Sequence, residues 1–194
     1  YIPIELIDLP GLIKGAWQGK GLGNQFLTVA AQSDALIHVV DVSGGIDVTG
    51  KVTEQGTSDP VADVGDIEEE LAMWYLKLLE GNRDKISRSI NAGVDIIMAI
   101  TDVLRGVGVR DEHVKMALKK NSMMEGKFDE FDSQKIKDFL RSLRYISKPT
   151  LILANKIDLP SAADNFKRLR DKYKDLLVIP SSADAELTLR RAES

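Results

Sequence analysis

The sequence predicts an α/β fold: a parallel sheet with helices on both faces, interrupted by a helical insertion. Three observations carry that prediction. Continuous apolar runs from Ala35 to Asp41, Pro149 to Ala154 and Leu176 to Pro180 have the composition of strands buried on both faces. The last two deliver polar residues to their C-terminal ends, where ligands bind in open α/β sheets. From about 67 onward, apolar residues recur at helical spacing up to Tyr145.

Taken in order, the chain opens on a strand expected near Ile4 to Asp8, which ends in Asp8-Leu9-Pro10-Gly11, a D-x-x-G match. Five glycines then fall within thirteen residues, from Gly11 through Gly15, Gly19 and Gly21 to Gly23. Such a backbone can adopt positive φ, approach a ligand closely or change conformation. A helix is expected from Asn24 to Gln32, and His38 in the following strand reads as a core histidine rather than a base.

Val42 to Asp63 is rich in Gly, Asp, Ser and Thr and reads as loop. Ile67, Leu71, Trp74 and Leu78 mark an amphipathic helix with Glu68, Glu69 and Glu70 in its first turns, where the helix dipole favours anions. Further helices are expected at 84–105, 111–120 and 132–145, with Asp111 and Ser133 as caps. This divides the chain into a sheet-bearing domain, 1–41 and 148–194, and a loop-plus-helical insertion, 42–147. Beyond it, a helix at 161–174 with Ser161 as its cap precedes the last strand, and another follows at 184–192.

The most informative stretch is Asn155-Lys156-Ile157-Asp158 at the end of the second apolar run. Guanine presents two donors on one edge, its N1–H and its exocyclic amine, and a single carboxylate such as Asp158 accepts both. Adenine offers an acceptor there, so Asp158 selects guanine. Lys156 lays its methylene stem on the base face, and the Asn155 amide ties neighbouring loops together. Ser181, Ser182 and Ala183 follow the last strand, where backbone N–H groups can donate to the guanine O6.

Composition bounds the rest. At 194 residues with 43% hydrophobic and 29% charged side chains, the chain suits one soluble domain with an insertion. No apolar stretch approaches the roughly 20 residues of a membrane helix, which points to the cytosol and to no membrane partner. The absence of cysteine excludes disulfides and thiolate metal sites, and two isolated histidines argue against zinc. A net charge of -4 gives no reason to expect nucleic acid over the whole surface.

With D-x-x-G, N-K-x-D and S-S-A in that order, the chain resembles the translation-factor-type P-loop GTPases. The run from Leu9 through Gly15, Gly19, Gly21 and Gly23 to Leu27 is similar to the Obg family and its YchF branch, and Ser182 to Arg191 resembles the archaeal members. The resemblance implies a Mg²⁺-dependent GTPase that switches conformation between GTP and GDP and works with the ribosome. It would place Asp8 on Mg²⁺ through a water, the Gly11 N–H on the γ-phosphate, and Asn155, Lys156, Asp158 and 181–183 around guanine. Many YchF relatives replace the final Asp and favour ATP, so Asp158 implies GTP here.

Leu12 stands where Ras-like enzymes carry the water-orienting glutamine, which leaves Gln18, Asp47 or a partner-supplied group for that task and keeps a nucleotide-sensing module with negligible hydrolysis as the alternative. The sequence contains no G-x-x-x-x-G-K-[ST] phosphate loop. A fragment lacking an N-terminal strand, phosphate loop and first helix, and a C-terminal TGS domain, is therefore the expectation.

Overall fold

The computed structural model describes residues 3–9, 23–47, 50–125 and 128–192. Its elements are α1 (Gly23–Gln32), β1 (Leu36–Asp41), α2 (Pro60–Glu80), α3 (Arg83–Asn91), α4 (Ile96–Leu104), α5 (Asp111–Lys120), α6 (Ser133–Ser147), β2 (Thr150–Asn155), α7 (Ala162–Lys172), β3 (Leu177–Pro180) and α8 (Ala183–Ala192). The chain divides into two compact units, one of residues 34–69 and 145–194, the other of residues 1–33 and 70–144.

The first of these is the sheet unit. All three strands are parallel, in the order β1-β2-β3, with Val40 opposite Ala154 and Ala154 opposite Pro180. One face is packed: Val40, Ile152 and Ala154 close on Val61 and Val64 of α2 and on Ala162 and Leu169 of α7. The other face repeats at alternate positions, as a pleated strand requires. There Ile37, Val39, Leu177 and Ile179 are exposed, with Leu151 and Leu153 between them in register.

The expected strand at Ile4 to Asp8 does not form. Residues 3–9 are irregular, and Ile4, Leu6 and Ile7 are exposed. A strand exists by pairing its backbone groups with a neighbour, and none of the described strands pairs with this segment.

Between β1 and α2 the chain folds back on itself instead of wandering. Gly44 sits at φ +65, where glycine is favoured, and a Cβ there would lie 2.6 Å from the Ser58 carbonyl oxygen. The Ser58, Gly56 and Thr53 N–H groups donate to the Gly44, Ser43 and Gly45 carbonyls. Helix α2 begins seven residues earlier than its apolar stripe, because Asp59 accepts the Val61 N–H at 3.1 Å as the cap and Pro60 occupies the first turn. Consequently residues 42–69 cluster with the sheet and not with the helices expected to follow them.

In the helical unit, Leu27, Ile86, Ile100, Val114, Leu118, Ile136, Phe139 and Leu143 are buried. The single helix expected at 84–105 is two. After α3 the Ala92, Gly93 and Val94 N–H groups bond back to Arg88, Ile90 and Ser89, with Gly93 at φ +91, and Asp95 then caps α4 through the Ile97 N–H at 2.8 Å. Two caps also move by one residue. Asp111 is the first residue of α5, with Arg110 at the extended cap position, and Asp132, not Ser133, accepts the Lys135 N–H at 2.7 Å.

Candidate functional site

The C-terminal ends of the three strands bring together the residues that the sequence singled out. Asn155 is the last residue of β2 and lies opposite Asp41, the last of β1. The Val42 N–H donates to the Asn155 carbonyl at 3.1 Å, so the ladder extends one step beyond the strands. The chain then reverses at Lys156, whose φ is +64, and closes a turn in which the Leu159 N–H bonds the Lys156 carbonyl. A non-glycine residue in that region stores strain and persists only where its surroundings over-determine it.

Those surroundings are visible on both sides. The Lys156 Nζ donates to Asp41 Oδ2 at 2.6 Å, while Asp41 Oδ1 accepts from the Ser43 N–H at 2.9 Å and the Ser43 hydroxyl at 2.6 Å. Burial opposes ionisation of Asp41, but the hydrogen bonds from Lys156 and Ser43, with the lysine charge, outweigh it and hold the carboxyl below the usual carboxylate range. On the β3 side, Asn155 Oδ1 accepts from the Ala183 N–H at 3.0 Å and the Ser181 hydroxyl at 3.3 Å. The Ile157 N–H also donates to the Ser181 carbonyl. Asn155 thus ties the 155–158 turn to the 181–183 turn.

Of the three N–H groups expected near O6, Ser181 donates to the Ala154 carbonyl and Ala183 to Asn155. Only Ser182 keeps an N–H without an acceptor among the described residues. Asp158 is exposed, and its carboxylate makes no hydrogen bond or ion pair among the described residues. An acceptor held on an ordered turn with its lone pairs uncommitted is what a two-donor ligand edge requires.

Asp8 is exposed in the irregular segment, and Gly11, Leu12 and Gln18, with Gly15, Gly19 and Gly21 of the glycine run, lie outside the described residues, while Gly23 opens α1. Asp47 is engaged in a turn, accepting the Lys51 N–H at 3.0 Å. Ser161 stands at the N-cap position of α7 as expected, but its side chain makes no cap bond; the hydroxyl donates instead to the Ser43 carbonyl at 2.9 Å and so ties that turn to the β1 loop. The spacing Gly45…Gly50-Lys51 comes close to a phosphate loop, but Val52 replaces the Ser/Thr and pairs antiparallel with Ile46. No helix follows until Pro60, so it lacks the helix N-terminus that a phosphate loop leads into.

Sequence reasoning missed Asp41 and Ser43. The signal was present: the β1 run ends in Asp-x-Ser as the β2 run ends in Asn-Lys, and parallel neighbours bring such ends together.

No group of three or more His, Cys, Asp or Glu that could hold a metal occurs among the described residues. Magnesium fits such a setting only with few protein ligands, its remaining positions being filled by waters and nucleotide phosphates. Among the described residues Asp8 is the one the resemblance assigns to that role.

A parallel sheet whose strand ends carry N-K-x-D beside a serine-rich turn defines an α/β fold of the G-domain type. Comparison places the chain within that class. Residues 153–194 match the Obg-like GTPase YGR210-like, G4 motif-containing domain, and residues 2–74 match the 50S ribosome-binding GTPase domain. An uncharacterized GTP-binding protein of Methanocaldococcus jannaschii is 42% identical over 193 residues, spanning 100% of this chain and 48% of the relative. The ribosome-binding ATPase YchF of Mycoplasma genitalium is 30% identical over 158 residues, covering 80% and 39%. The crystal structure of a GTP-binding protein from Pyrococcus horikoshii superposes with a TM-score of 0.74 at 34% identity, covering 86% of this chain and 48% of that one. The chain belongs to the Obg-like, YchF-type family of GTP-binding proteins. It spans about half the length of the curated relatives it matches.

Proposed function

We propose that this chain supplies the base-reading half of a GTP-binding protein that hydrolyses GTP to GDP and phosphate as a conformational switch associated with the ribosome. The observation that carries the reading is the turn at 155–158: Asn155 is fastened to 181–183, and Asp158 is ordered, exposed and uncommitted. A free carboxylate at that place accepts both donors of guanine and faces an acceptor on adenine, and leaving a buried charged acceptor unpaired costs about 1–3 kcal/mol or more. Asp8 would hold Mg²⁺ through a water and Gly11 would meet the γ-phosphate. When bound, the metal would neutralise charge on the phosphates. The residues of this chain read the base, exclude the wrong one and signal the γ-phosphate through the glycine run.

The YchF relative is named an ATPase, so the base preference is the decisive measurement. Calorimetry on a protein extended to the length of its relatives is expected to give GTP and GDP well above ATP. Equal affinities would show that Asp158 does not face the base. Single-turnover hydrolysis with and without ribosomes tests the second half of the reading; a background rate in both leaves a nucleotide-sensing module, the alternative that Leu12 supports.

A further inference from the structure

We infer that Asp41 is a positioning residue for base binding: it anchors the Lys156 ammonium so that the lysine stem is drawn out along the strand ends before a nucleotide arrives. The inference rests on residues 155–158 being the base reader, and adds to it a residue on a different strand, 115 positions away in sequence.

The geometry is over-determined from the Asp41 side. Asp41 ends β1 opposite Asn155, and its carboxylate is fixed by two bonds from Ser43 before Lys156 is considered. Its remaining oxygen is 2.6 Å from the Lys156 Nζ, and the Asp41 side chain is 10% exposed while that of Lys156 is 38% exposed. Ser43 is in turn held by the Ser161 hydroxyl, on the loop that follows the 155–158 turn, so the anchor and the turn it serves are braced together.

A lysine stem has four rotatable bonds and loses more rotamer entropy on ordering than most side chains. If the ammonium were free, binding a base against the stem would have to order it. With the ammonium already held, that cost falls on folding and not on binding, which is the meaning of preorganisation. The same pair helps to keep Lys156 in its left-handed conformation, and so keeps Asp158, two residues on, at its place in the turn.

Asp41→Asn separates this role from a merely structural one, because the amide oxygen still accepts from Ser43 while the charge facing Lys156 is gone. In the extended protein, Asp41→Asn is expected to weaken GDP and GTP by the same factor, about five- to tenfold, since the lost contact is to a charged and partly exposed group. In a Lys156→Met background the same substitution should change affinity by less than about twofold. An equal loss in both backgrounds would mean that Asp41 acts through the Ser43 turn, and no loss in the wild type would mean that it does not act on the site; either overturns the inference. A wild type that binds no guanine nucleotide sinks the base-reader reading itself, which is a distinguishable failure. A measurement that does not rest on nucleotide affinity is the side-chain ¹H–¹⁵N signal of Lys156 in ¹⁵N-lysine-labelled protein, assigned by its loss in Lys156→Met. An anchored ammonium gives a signal at neutral pH, whereas its absence from the wild type would refute the anchor.

Discussion

At the scale of single residues, charge and its setting decide what each carboxylate does. Asp158 is uncommitted, so Asp158→Asn should exchange partners without disturbing the fold: it is expected to weaken GDP and strengthen xanthosine diphosphate, whose ring edge offers an acceptor to the new amide. Titration calorimetry with the two nucleotides checks this, and a uniform loss of both would place Asp158 outside the site. Asp63, in the first turn of α2, is in the opposite position. Burial chiefly, and then the charges of Asp59, Asp66 and Asp41, push its pKa up from the ordinary carboxylate value. A raised folded-state pKa means that the ionised form is disfavoured by folding, so this group subtracts stability above its folded pKa and not below its unfolded one. Asp63→Asn should therefore raise the melting temperature near pH 7, and the gain should shrink as pH falls through the raised pKa; melting curves at both ends of that window decide it.

Elements show which parts of the fold were legible in the sequence and which were not. The strands at β1, β2 and β3 and the helix α5 fall within a residue or so of expectation, because apolar runs and stripes reflect burial directly. The stripe from Ile67 starts α2 too late because Val61 and Val64 of its first turns, which pack on the sheet, sit among the Gly, Asp, Ser and Thr of a loop-like stretch; the Asp59-Pro60 pair is the available signal, a cap followed by a residue suited to the first turn. The helix expected at 84–105 runs through Gly93, where a left-handed glycine ends one helix before Asp95 starts the next. What no periodicity reveals is the ordered loop between β1 and α2, since its order comes from backbone bonds around Gly44. Gly44→Ala combines positive φ with a backbone oxygen 2.6 Å from the new Cβ, and should destabilise the sheet unit by about 1–3 kcal/mol in urea unfolding. Asp59→Ala, which removes the α2 cap, should cost about 1 kcal/mol by the same measurement.

On the scale of the molecule, the sheet has two unlike faces, and that difference governs how this chain should behave alone. One face is packed by α2 and α7, whereas Ile37, Val39, Leu177 and Ile179 on the other are exposed, and among the described residues β1 pairs with β2 alone. Exposed contiguous apolar surface and an unpaired edge of a parallel strand both favour association with something that covers them. The residues of the base reader sit at the ends of these same strands, but the sequence of this chain contains no phosphate loop, which in P-loop enzymes supplies most of the charge-assisted bonds to a triphosphate. Residues 1–194 expressed alone are therefore expected to bind a hydrophobic dye strongly, to self-associate, and to show no GTP turnover above the uncatalysed rate. Replacing Val39 and Leu177 with lysine should lower dye binding and association without creating activity, because it removes apolar surface and adds nothing to the site. Dye fluorescence, sedimentation and phosphate release on the same preparations make the test; turnover by residues 1–194 would mean that the triphosphate is cradled by groups other than a phosphate loop.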